Sequence, residues 1–178
     1  MRRKITIPIT TTATAYTAND VLFSPVNVEN AAVRLGGDVK IISASLISKA
    51  DKCPSVDLVF MEEDSLPGLN VAPGSVITTG GATLRSILVD NHVCGIVTLD
   101  EVTDGNTGAL GGDAGNETYI STKTNVDLVV STSLGNEGFS STQTPEDPLS
   151  TNFHVFGVTK SAVTSTTTTD FTLILDIE

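Results

Sequence analysis

The sequence predicts one all-β domain, a two-sheet β-sandwich of the jelly-roll kind with about eight strands and long loops. Short segments in which apolar and polar residues alternate recur along the 178 residues, and this period of two indicates strands with one buried face. Clusters of Gly, Pro, Asn and Asp separate the segments. Aromatic residues make up only 4% and Trp is absent, so Val, Ile and Leu must build the core, and these favour sheets. The length suits a single domain over residues 1–178.

The N-terminal segment predicts an edge strand. Ile5, Ile7 and Ile9 alternate with polar residues and with Pro8. Proline cannot donate to a strand ladder, so this strand belongs at the edge of its sheet. Turns are predicted downstream at 19–20 and 36–38, where Asn-Asp and Gly-Gly-Asp occur.

Two strands follow in the first third of the chain. Residues 39–48 are apolar on both alternating faces, which predicts a central strand covered on both sides. After a polar turn at 49–54, Val56, Leu58 and Phe60 resume one face. We expect 39–48 and 56–64 to pair as an antiparallel hairpin, because a short polar turn joins them.

The rest of the chain predicts further strands separated by long polar segments. The strands are expected at 95–99, 126–130, 153–158 and 171–177. Residues 82–89 have the spacing of one or two helical turns. Residues 104–116 and 131–152 are rich in Gly, Pro, Ser, Thr, Asn and Asp, and we expect exposed loops or arms there.

The net charge of −11 argues against a nucleic-acid partner, which would require clustered Lys and Arg. The charge is unevenly distributed, with +3 over residues 1–52 and −14 over the remainder. Such an asymmetry favours two surfaces that face different environments. No apolar run approaches the roughly 18–20 residues that span a bilayer, so no membrane association is expected.

No residue pattern predicts a catalytic, cofactor or metal site, and we expect no enzyme. His92 and His154 lack a partnered nucleophile, and Cys53 and Cys94 lack zinc-ligand spacing. Residues 104–115 begin like a calcium loop but end on Gly where a bidentate Glu is required. An unliganded loop is expected there, with a looser oxygen site at Asp113, Asn116 and Glu117 as the alternative. The acidic run at 62–64 is expected to face solvent, and the cysteines to be unlinked.

Several blocks in their order resemble a family of small bacteriophage structural proteins, the capsid decoration or cement proteins. These blocks are the Ala-Tyr-Thr-Ala-Asn-Asp-Val segment at 15–21, the Gly turn at 36–37, the strand at 39–46, the polar turn at 49–52, the Asp-Leu-Val-Phe strand within 57–64 and the closing strand at 171–175. The resemblance implies a virion protein that is made in the host cytoplasm and placed on the capsid exterior. Its partner would be the major capsid protein, whose lattice it would stabilise.

A homotrimer is the expected assembly, because closed symmetry suits a lattice with threefold sites. The alternative function is a recognition module of a tail or head fibre that binds a host glycan. Assembled capsid exteriors are often acidic, so the basic N-terminal third is expected to face the shell. The residues predicted to face the capsid are Arg2, Arg3, Lys4, Arg34 and Lys40, with Lys49 and Lys52 as further members of the basic third.

Overall fold

A computed structural model of the protein describes residues 1–62, 71–77, 93–101, 118–132 and 151–178. All ten secondary-structure elements in these ranges are strands. Their bounds are β1 Arg3–Ile9, β2 Ala15–Tyr16, β3 Val21–Val28, β4 Asp38–Ser48, β5 Val56–Met61, β6 Val93–Leu99, β7 Tyr119–Ser131, β8 Phe153–Thr159, β9 Val163–Thr164 and β10 Phe171–Ile177. The all-β prediction is therefore confirmed for the described part of the chain.

Eight of these strands form two antiparallel sheets. The first sheet has the order β1-β10-β4-β7, the second has the order β3-β8-β5-β6, and β2 pairs with β9 separately. Inward side chains of both sheets, such as Leu46 and Leu173 of the first and Leu58 and Phe153 of the second, belong to one buried cluster. The predicted β-sandwich is confirmed.

The strand pairs are nested along the chain. β1 pairs with β10, β3 with β8, β4 with β7, and β5 with β6. Successive pairs alternate between the two sheets. The described strands thus pair in a nested order across two layers, and the pairing of β1 with β10 places both chain termini at the same end of the sandwich.

Edge strands are protected by their sequence or by a neighbouring segment. β1 is an edge strand that contains Pro8, as predicted. The exposed edge of β3 is covered by residues 71–77, since the Val21 amide donates to the Ser75 carbonyl at 2.8 Å and the Gly74 amide to the Val21 carbonyl at 2.8 Å. Pro8 removes one donor from the edge of β1, and residues 71–77 satisfy the backbone of Val21 at the start of β3, so both features reduce the unpaired backbone groups that favour aggregation.

The predicted hairpin of 39–48 with 56–64 is wrong. β4 lies in the first sheet and β5 in the second, so residues 49–55 cross between the layers. The apolar side chains of both strands belong to the same buried cluster, and each strand finds its hydrogen-bond partners elsewhere. Strand β5 also ends at Met61.

The prediction that 39–48 is covered on both faces is also wrong. β4 is central in its sheet, but burial alternates, with Ile41 and Leu46 fully buried and Ser43, Ser45 and Ile47 only half-buried. Outward-facing serines make a one-sided strand, which suits an antiparallel sheet with one face toward solvent.

The remaining sequence expectations have mixed outcomes. Strands at 95–99, 126–130, 153–158 and 171–177 are confirmed, and the first three are longer than predicted. Strand β3 was not predicted, because Pro25 and irregular pairing interrupt its pattern. The predicted exposed loop at 131–152 is wrong at its first two residues, because Ser131 closes β7 and Thr132 is buried. The helical expectation at 82–89, the loop at 104–116 and residues 133–150 of the second loop lie outside the described residues.

Candidate docking surface

One end of the sandwich, here called the terminal end, carries both chain termini. It comprises residues 1–4, 29–40, 127–132, 151–153 and 176–178. Arg3 of β1 lies opposite Ile177, which in turn lies opposite Ile41. The backbones of Lys40 and Glu178 exchange two hydrogen bonds of 2.8 and 2.9 Å. The nested pairing thus joins the beginnings of β1 and β4 to the ends of β7 and β10.

The structure brings the five basic residues predicted to face the capsid to this terminal end. They are Arg2 just before β1, Arg3 and Lys4 at its start, Arg34 in the β3–β4 loop and Lys40 in β4. The other two basic residues of the N-terminal third lie at the opposite end, where the Lys49 amide donates to the Asp170 carbonyl and Lys52 pairs with Glu101 at 3.4 Å. The seven residues therefore do not share one face.

Arg2 is engaged within the protein. Its Nε donates to the two carboxylate oxygens of Asp176 at 2.9 and 2.8 Å, and its Nη2 also contacts that carboxylate. The carboxylate of Asp176 is largely buried while Arg2 remains 64% exposed. The hydrogen bonds from Arg2 lower the pKa of Asp176, and the same hydrogen bonds raise the pKa of Arg2. This bidentate pair ties the N-terminus to β10.

Arg3 is engaged with the backbone of the β3–β4 loop. Its Nη2 donates to the carbonyl oxygens of Asn30 and Ala31. These two carbonyls lie where the chain leaves β3, and Asn30 has a left-handed φ of 53°. Arg3 therefore holds the loop in place, although the residue itself remains exposed.

Lys40 pairs with Asp127, which belongs to an irregular part of β7. The register there passes from Ile41 opposite Leu128 to Ser43 opposite Thr124. Residues 125–127 thus bulge opposite a single residue of β4, with φ of 54° at both Asn125 and Asp127. Both partners of this ion pair are substantially exposed, so it contributes little to stability.

Lys4 and Arg34 differ from these three residues. Both are exposed, and in the described ranges neither forms an ion pair, as Arg2 and Lys40 do, or side-chain hydrogen bonds to the backbone, as Arg3 does. Lys4 lies opposite Asp176 in the register and acts on that carboxylate only through its charge. The cationic groups available to a partner at the terminal end are therefore chiefly Lys4 and Arg34.

Two apolar side chains flank Arg34. Val33 is 96% exposed and Leu35 is 60% exposed. Residues 34–37 form a β-turn in which the Gly37 amide donates to the Arg34 carbonyl at 3.1 Å, with Gly36 at a φ of 63°. Glycine suits this left-handed position. The turn presents its apolar and basic side chains to solvent.

Sequence reasoning missed Val33 and Leu35, and also the carboxylate partners Asp127 and Asp176. The signal for the first two was present, since an apolar-basic-apolar triplet directly precedes the Gly36-Gly37 turn. No local signal identifies the carboxylates, because Asp176 lies 174 residues from Arg2.

Two of the other sequence candidates, His154 and Glu62, are neighbours where β8 begins and β5 ends. The Nδ1 of His154 lies 3.3 Å from the carbonyl oxygen of Glu62, while His92 and residues 63–64 are outside the described ranges. Cys53 and Cys94 are free thiols. Burial raises the pKa of Cys53 to about 12 and also raises that of Cys94. In the described ranges, no group of His, Cys, Asp and Glu is placed to hold a metal ion.

Aromatic side chains are concentrated in the interior. Tyr16, Phe23, Phe60, Phe153, Phe156 and Phe171 are all buried, and Tyr119 is half-buried. A glycan site usually offers an exposed ring on which a sugar stacks. The described residues therefore offer little aromatic surface for such a contact.

Comparisons with models of protein families, with curated proteins and with solved structures find no match to this chain. In the part of the chain that the structure describes, no helix is long and apolar enough to cross a membrane.

Proposed function

We propose that this protein is a bacteriophage virion structural protein, a capsid decoration or cement protein on the head exterior. It binds the outer surface of the major capsid protein lattice and stabilises the head. The main support is the terminal end, where the exposed Val33, Arg34 and Leu35 project from a turn that hydrogen bonds hold in place. An ordered surface that combines apolar and basic groups is suited to binding another protein.

The stabilisation follows from mass action. A protein that binds only the assembled lattice shifts the equilibrium toward that lattice. Apolar contact supplies most of the affinity, and the charges of Lys4 and Arg34 orient the approach toward an acidic shell. The acidic remainder of the chain then faces solvent and keeps decorated particles apart.

We also propose that the sandwich is a jelly roll and that three copies associate. A jelly roll consists of eight strands in two sheets, and the nested strand pairs are consistent with such a winding. The outward face of the first sheet has two rows without a charged residue. These rows are Thr6, Ile174, Ser45 and Thr122, and Pro8, Thr172, Ile47 and Ile120. Copies of an acidic chain can approach each other most readily on such an uncharged face. Native mass spectrometry tests this, and a monomeric mass at micromolar concentration would contradict it.

The number of copies per particle tests the proposed function. Quantitative mass spectrometry of purified virions is expected to find this chain in hundreds of copies, in fixed ratio to the major capsid protein. Particles that lack it should lose their genome at lower temperature than wild-type particles. A handful of copies per virion would favour the fibre-associated, glycan-binding alternative, and absence from virions would refute both readings.

A further inference from the structure

The β3–β4 loop, residues 29–37, is hydrogen-bonded to neighbouring segments on both sides of residues 33–35. The Asn30 amide donates to Oδ1 of Asn152 at 2.8 Å, and the Ala32 amide donates to the Thr151 carbonyl at 2.9 Å. At the other side of the loop, the Gly37 carbonyl accepts from the amide of Thr132 at 3.0 Å and from its hydroxyl at 2.8 Å. These bonds connect the loop to the start of β8 and the end of β7.

We propose that residues 33–35 are the anchor by which this protein docks onto the major capsid protein, a reading that rests on the proposed function. Val33 and Leu35 enter an apolar recess of the shell surface. Arg34 pairs with carboxylates at the rim of that recess. Interface hot spots commonly consist of such apolar and Arg side chains inserted into a pocket.

The exposure and charge of residues 33–35 indicate which groups the recess must contain. Side chains that are 96% and 60% exposed gain free energy only when a partner removes them from water. Arg34 lies between them, so seating both apolar groups desolvates the guanidinium. A desolvated guanidinium requires carboxylate partners, and Arg34 has none in the described ranges. The rim is therefore acidic.

Arg3 is a positioning residue for this anchor. On the side of the loop nearer β3, the Asn30 and Ala32 amides donate to Asn152 and Thr151. Arg3 adds two hydrogen bonds to the Asn30 and Ala31 carbonyls on that same side. Fixing the tip before binding reduces the entropy lost on docking. Of the five basic residues predicted to face the capsid, Arg34 therefore contacts the shell, whereas Arg3 holds the loop that carries it.

The test measures binding of the full chain to purified, undecorated shells of the major capsid protein encoded by the same phage. The variant V33S/L35S removes the apolar anchor. The control V76S/I96S makes the same number of apolar-to-Ser changes at two side chains that are 48% and 50% exposed and lie outside the terminal end. Thermal unfolding checks that every variant folds.

We expect V33S/L35S to bind shells about 100-fold more weakly than wild type, and V76S/I96S to bind within about twofold. Arg34→Glu should weaken binding about tenfold and mainly slow association. Arg3→Gln should weaken binding about fivefold and accelerate hydrogen exchange at the loop amides, with partial rescue in Arg3→Lys.

Each outcome has a defined reading. If wild type binds shells and V33S/L35S binds equally well, the anchor is refuted while the proposed function stands. If wild type does not bind shells, the proposed function fails and the anchor fails with it. If wild type associates with itself and V33S/L35S is monomeric, the tip binds another copy of this chain, which overturns the assignment of the shell as its partner.

Discussion

Gly157 provides a direct test of how the core is packed. It lies in β8 opposite Phe23 of β3, and its neighbour on the other side is Leu58 of β5. A Cβ atom at this position would lie 2.7 Å from Cδ1 and 3.0 Å from Cζ of Phe23. The Phe23 ring is fully buried, so it cannot move aside without disturbing its neighbours. An aromatic ring laid over a glycine of the adjacent strand compensates for the missing side chain.

We therefore expect Gly157→Ala to destabilise the protein. Overpacking a core costs about 1–3 kcal/mol, and the lower entropy of the unfolded Ala chain offsets about 0.5–1 kcal/mol. The difference between these ranges is about 0–2.5 kcal/mol. Because the new methyl group meets a fully buried ring, we expect the upper half, a net loss of about 1–2.5 kcal/mol, which lowers Tm by roughly 2–10 °C for a chain of this size. Urea titration followed by circular dichroism measures the midpoint and the slope.

A double-mutant cycle identifies the cause. Phe23→Leu removes the ring that the new methyl group would meet, so G157A/F23L should be less destabilised than the sum of the single variants by at least about 0.5 kcal/mol. Additive effects would show that Gly157→Ala acts through another contact. A Gly157→Ala protein at least as stable as wild type would refute the packing explanation.

Three further predictions concern single buried groups. The Ser121 hydroxyl is buried without a hydrogen-bond partner in the described ranges, so Ser121→Ala should raise the free energy of unfolding by about 1 kcal/mol, and a loss above 1 kcal/mol in urea titration would contradict this. Burial acts to raise the pKa of Asp170, but hydrogen bonds from the Thr167 hydroxyl at 2.6 Å and the Thr167 amide at 2.9 Å, with others, lower it overall. The stability that Asp170 contributes is therefore present above its unfolded pKa of about 3.9 and is lost as pH falls below that value. Asp170→Asn should cost about 1.5–3 kcal/mol at pH 7 and flatten the acid decline, and an unchanged pH profile would show that other groups set it. Because Cys53 is buried with a pKa of about 12, iodoacetamide at pH 8 should leave it unmodified until urea unfolds the chain, and mass spectrometry that finds it alkylated in the folded protein would show that the core opens.

The sequence alone determined the local character of the strands. The alternation of Ile5, Ile7 and Ile9 identified β1, and Pro8 placed that strand at an edge. Val56, Leu58 and Phe60 were correctly assigned to one buried face. These features are readable because side-chain direction alternates with every residue of a strand and because proline lacks a donor wherever it occurs.

Strand partners were decided by the tertiary structure. The short turn at 49–54 indicated a hairpin, yet β4 pairs with β7 and β10. A connection that crosses between layers and one that closes a hairpin can have the same length and composition, so local sequence does not distinguish them. Local sequence also did not predict that the outer face of β4 is half-exposed, because burial of that face depends on which segment lies above it.

The candidate docking surface was also predicted only in part from the sequence. The basic character of the N-terminal third was visible in composition, but only the fold brought Arg2, Arg3, Lys4, Arg34 and Lys40 to one end. The fold also paired Arg2 with Asp176 across 174 residues and directed Arg3 to the loop backbone. Whether a charge is available to a partner depends on such long-range contacts. Composition counts charges, whereas the tertiary structure determines which of them are already neutralised.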